Sequence, residues 1–87
     1  MRIIDLKNVV RKDVPIYYRR LYSGTVVLEL LTKPVEAPLE FQIEHMPTGQ
    51  IEITITSIGE IDYPLVPLKK ELRNFIGDLD TSGKLPN

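Results

Sequence analysis

The sequence predicts an α+β domain: an antiparallel sheet of four to five strands, built around two hairpins, with one C-terminal amphipathic helix packed on its apolar face. Three observations carry this. Leu39–Ile58 alternates apolar and polar residues with period two around Met46-Pro47-Thr48-Gly49-Gln50, as half-buried strands do. Leu65, Leu68, Leu72, Phe75, Ile76 and Leu79 instead recur at helical spacing. The chain has 87 residues. One small domain spanning 1–87 is what that length supports, since a chain this short buries only about 60–65% of its extended surface.

The 39–58 hairpin is the firmest element. Pro47 suits the second position of a type I turn and Gly49 the left-handed position after it. If Met46 pairs with Gln50, then His45 faces Ile51, Ile43 faces Ile53 and Phe41 faces Ile55, so turn chemistry and patterning agree. Upstream, Ile16–Tyr22 and Thr25–Thr32 flank Ser23-Gly24 and read as a second hairpin. They are rich in aromatic and β-branched residues. A tight turn there would place Arg19 on the face of Leu21 and Leu28, where it must snorkel unless the loop is longer. A rival reading makes Asp13–Tyr22 a short helix capped by Asp13. Ile3–Leu6 reads as a short N-terminal strand. Residues 32–38 read as a connection, because Pro34 and Pro38 interrupt a ladder.

The helix is expected from about Pro67 to Asp80. Pro67 is tolerated in the first turn, where its missing N–H is no loss. Gly77 weakens the helix by about 1 kcal/mol relative to alanine. Asp80-Thr81-Ser82-Gly83 stops it, with Pro86 beyond. A sheet with one apolar face and a helix with one apolar stripe cover each other in a two-layer arrangement. Apolar residues left over, Val27 and Leu31 foremost, make a possible interface with a second copy, so a homodimer is one expectation.

Composition narrows the function. Hydrophobic residues make up 43% and charged residues 26%, and there is no cysteine, which excludes disulfide frameworks and thiol chemistry. No run reaches the ~18 apolar residues of a membrane helix. The start, MRIIDLKNVVRKD, has none of the apolar stretch of a secretory signal. A cytoplasmic location without membrane association is the expectation.

Charge is unevenly laid out. Residues 1–33 carry seven Lys or Arg against three acids, residues 34–66 carry six acids and no Lys or Arg, and the whole chain is −1. One explanation is internal: Glu44 opposite Glu52 is an unfavourable cross-strand pair that Arg19 or Arg20 on a neighbouring strand would relieve. The other is a partner. Arg11, Lys12, Arg19 and Arg20 interleave with Tyr17, Tyr18 and Tyr22, and single-stranded nucleic-acid sites combine cations for phosphates with rings for bases. An overall pI near 5.8 argues against that partner.

Candidate chemistry is sparse. His45, the only histidine, sits between Glu44 and Met46, but a catalytic base needs an orienting partner and a pocket. Asp78-Leu79-Asp80-Thr81-Ser82-Gly83 resembles the first half of an EF-hand loop, yet the twelfth position, which needs a bidentate glutamate, falls past Asn87. Glu60 and Asp62 form an acid pair that reads as a solvated turn. The glycines are isolated, and Ser23, Ser57 and Ser82 lack a partner histidine and acid by position. No cofactor, metal or catalytic residue is expected. The sequence reads first as a protein-binding or self-assembly module, and second as a single-stranded nucleic-acid binder.

Overall fold

The structure, a computed structural model, describes residues 1–31 and 33–86. Four strands follow one another, β1 (Arg2–Lys12), β2 (Arg19–Leu30), β3 (Lys33–His45) and β4 (Ile51–Ile58), and the helix α1 (Leu65–Thr81) comes last. The strands form one antiparallel sheet in the order β1-β2-β3-β4. This is the α+β architecture expected. The long axis measures 41 Å, the span of a twelve-residue strand at about 3.3 Å per residue.

The β3–β4 hairpin has the register that its turn dictates. His45 pairs with Ile51, Ile43 with Ile53 and Phe41 with Ile55. The Met46 N–H donates to the Gln50 carbonyl at 2.8 Å, and Gly49 takes φ 90°, a conformation that favours glycine.

Three expectations are corrected. Ser23-Gly24 is not a turn: β2 runs unbroken through it, pairing with β3 at every residue from Arg19 to Leu30. The glycine serves a different need. β1 bulges opposite it, with Asn8 at φ 56° and a register shift between Lys7 and Val10. A Cβ on Gly24 would lie 3.2 Å from both the Lys7 carbonyl oxygen and the Val9 Cα. Glycine within a strand often marks such a close backbone approach. Asp13–Tyr22 is likewise not a helix. Residues 13–18 form the β1–β2 connection, and only from Arg19 does the chain join the sheet.

Residues 33–38 are strand rather than connection, while Thr32 lies outside the described residues. Pro34 and Pro38 are compatible with the ladder because of parity. The His45 N–H points to β2 and the Met46 N–H to β4, so even-numbered residues of β3 direct their nitrogens away from β2. The β4 ladder begins only at Leu39, so neither proline removes a bond from it. The β2–β3 turn is therefore tight, with Leu31 at φ 54°, as two-residue hairpin turns require.

Strand β1 is longer than Ile3–Leu6 suggested. Its inward residues Ile3, Leu6 and Val9 recur at three rather than two because each of two bulges adds a residue.

The core lies between the sheet and α1. Tyr22, Val26, Leu28, Leu39, Phe41 and Ile43 line the sheet side, and Leu68, Leu72 and Ile76 the helix side. Tyr22 and Phe41 stack at 5.1 Å between centroids. The helix begins two residues before Pro67 and ends as expected. The Lys84 N–H donates to Leu79 O and the Gly83 N–H to Asp80 O, with Gly83 at φ 69°, which is a Schellman closure.

Candidate interaction surfaces

Alternation along β2 sends Arg19, Leu21, Ser23, Thr25, Val27 and Glu29 to the open face and Arg20, Tyr22, Val26 and Leu28 toward the helix. The open face is laced by ion pairs between strands. Arg2 meets Glu29 at 3.4 Å, Lys7 meets Glu36 at 2.8 Å, Lys12 meets Glu40 at 2.7 Å and Arg19 meets Glu44 at 3.3 Å. The basic first third thus lies against the acidic middle third. Glu44 does stand opposite Glu52, and Arg19 is the cation that relieves the repulsion. Each exposed pair contributes only about 0–1 kcal/mol. Together they favour one register, since a one-residue slip moves the charges to the other face.

Arg20, one residue on, faces the helix. Its guanidinium donates to Asp80 at 3.0 Å and to the Tyr22 hydroxyl at 3.0 Å, and that hydroxyl donates to the Pro86 carbonyl at 3.1 Å. This network ties β2 to the end of α1 and the segment after it. Asp80 is therefore directed at Arg20, away from the calcium-loop arrangement that its spacing resembles.

The seven residues of the cationic–tyrosine reading are consequently dispersed. Arg11 is exposed near the end of β1, Lys12 and Arg19 are paired on the open face, Arg20 is on the helix side, and Tyr22 is 1% exposed in the core. Only Tyr17 and Tyr18 offer their rings to solvent, at 94% and 44% exposure. They meet edge to face, centroids 5.9 Å apart, with the Arg19 guanidinium 5.8 Å from the Tyr18 ring. The Tyr18 carbonyl accepts from the His45 N–H at 2.8 Å, which brings the connection beside the β3–β4 turn. Tyr17, Tyr18, Glu44, His45, Met46 and Pro47 line a shallow hollow there. His45 sits on its rim with an exposed ring, and the neighbouring Glu44 carboxylate is engaged by Arg19.

The proposed interface pair is also separated. Val27 is half-buried on the open face between Asp5 and Glu36. Leu31, 98% exposed, caps the β2–β3 turn at the far end of the sheet from the tyrosines.

One surface escaped the sequence reading. The outer side of β4 is a free sheet edge, and Ile51–Ile55 with Lys69 and Arg73 line a groove beside it. The four-residue spacing of Lys69 and Arg73, which places them on one helix face, was the available signal. The described residues hold no cluster of three or more metal-ligating side chains, and no described helix is long and apolar enough to cross a membrane.

A small meander sheet backed by one helix, with an aromatic end and no deep cleft, defines the class. The chain belongs to the BB_0187 family, whose model matches residues 1–81. No curated protein and no solved structure matches it.

Proposed function

We propose that this chain is a small intracellular protein-binding module, self-assembly included, which performs no catalysis and presents the Tyr17–Tyr18 end to its partner. The observation that carries this reading is the pairing of the strand cations. Lys7, Lys12, Arg19 and Arg20 are each matched to a carboxylate of the same chain, so binding phosphates would first break internal pairs. The aromatic surface left over is gathered next to Met46 and Pro47. Tyrosine is enriched at protein interfaces because its ring buries area while its hydroxyl finds a partner. The rival reading, a single-stranded nucleic-acid binder, retains the two exposed rings and Arg11 but loses Tyr22.

Light scattering tests the self-assembly branch. The expected result is a mass above that of a monomer for the native chain, reduced toward the monomer by Tyr17→Ser with Tyr18→Ser. A monomer at every concentration removes self-assembly and restricts the reading to a different protein partner. An equal mass for native and variant chains removes the tyrosine end as the contact.

A further inference from the structure

We infer that the free edge of β4 is a strand-addition site for an extended peptide carrying acidic residues at alternate positions. The backbone supplies the first half of the argument. The Met46–Gln50 hydrogen bond and the unbroken pairing of Glu44 with Glu52 and Gln42 with Thr54 turn the even-numbered residues of β4 inward. The N–H and C=O groups of Ile51, Ile53 and Ile55 therefore point out of the sheet, with no neighbouring strand in the sheet order. Such a row is a template for another strand.

The opposite edge is blunted. β1 carries two bulges and a residue at positive φ, which bend an edge away from regular pairing. From Ile51 to Ile55, β4 has no bulge, proline or lysine.

Charge supplies the second half and selects the occupant. On the helix side the groove is bordered by Lys69 and Arg73, and no described carboxylate lies in salt-bridge range of either. On the open-face side it is bordered by Glu52 and Thr54. A strand added here alternates its side chains between those two borders. Acidic residues therefore fit the helix side, and neutral or basic ones the other. A second copy fits less well: a two-fold through Ile53 would bring both copies' Lys69 and Arg73 together, and like charges across an interface oppose association.

This site is separate from the tyrosine end, and its test leaves Tyr17 and Tyr18 intact. The probe is a short acetylated and amidated peptide of alternating glutamate and threonine, with a lysine–threonine peptide as its counterpart. Amide hydrogen exchange is followed residue by residue. The glutamate peptide is expected to slow exchange at Ile53 and Ile55, and the lysine peptide is not. Lys69→Glu with Arg73→Glu is expected to weaken the glutamate peptide about tenfold and to transfer the preference to the lysine peptide, which a general loss of structure would not do. Equal effects of the two peptides, binding without slowed exchange at the edge, or no binding of either overturns the inference. Slowing that arises from protein concentration alone also overturns it, because a second copy would then be the occupant.

Discussion

Truncating Tyr22 to alanine is expected to destabilise the fold by about 3–5 kcal/mol, the range for removing a large buried aromatic ring. Tyr17→Ala should change stability by no more than about 0.5 kcal/mol, as exposed substitutions do. Three features make Tyr22 costly to lose. Its ring stacks on Phe41, its hydroxyl links Arg20 to the Pro86 carbonyl, and it is almost wholly buried. Truncation opens a cavity and leaves the Arg20 guanidinium, whose Nε is already buried without a partner, short of one more acceptor. Equilibrium chemical denaturation of the two variants measures the difference. Similar small effects would mean that both tyrosines lie on the surface, and the division of the YYRRLY segment would be wrong.

Leu72→Ala is expected to cost about 2–5 kcal/mol. Leu72 has no exposed surface and lies between Leu68 and Ile76 on the buried stripe of α1. The same measurement reports it, as a lower denaturation midpoint with an unchanged slope. For a domain of this size each kcal/mol corresponds to a fall of roughly 4–8 °C in Tm. A change near zero would mean that the helix does not cover the sheet.

Elements whose local chemistry and long-range packing agree were legible. In the 39–58 hairpin the turn residues and the alternation each specify the same register. In α1 the apolar stripe, the proline in the first turn and the glycine after the last place both ends within two residues. Legibility failed where one strand's conformation answers to its neighbour. Gly24 looks like a turn residue because what it accommodates, the bulge at Asn8 and Val9, belongs to a different strand. Pro34 and Pro38 look like breakers because the side of β3 that lacks a neighbour depends on where β4 ends. Ile3, Leu6 and Val9 resemble no regular period because two bulges displace them.

The surface divides in the same way. That Glu44 and Glu52 face each other, and that a β2 arginine answers them, follows from the hairpin register with the charge layout. Which arginine answers depends on β2 parity, and reading a turn at Ser23-Gly24 obscured that parity. The β4 edge was invisible for a related reason: an edge is a property of strand order, and no residue in Ile51–Ile55 records that the sheet stops there.

The central claim is that folding commits the strand cations and Tyr22 internally, leaving a surface suited to protein rather than nucleic acid. Fluorescence anisotropy of a labelled, mixed-sequence single-stranded oligonucleotide, titrated with the native chain at about 50 mM salt, where phosphate contacts are strongest, tests it most directly. The account predicts no saturable rise. A saturable rise that weakens linearly with the logarithm of salt concentration, and that disappears in the Tyr17→Ser, Tyr18→Ser variant, would contradict it.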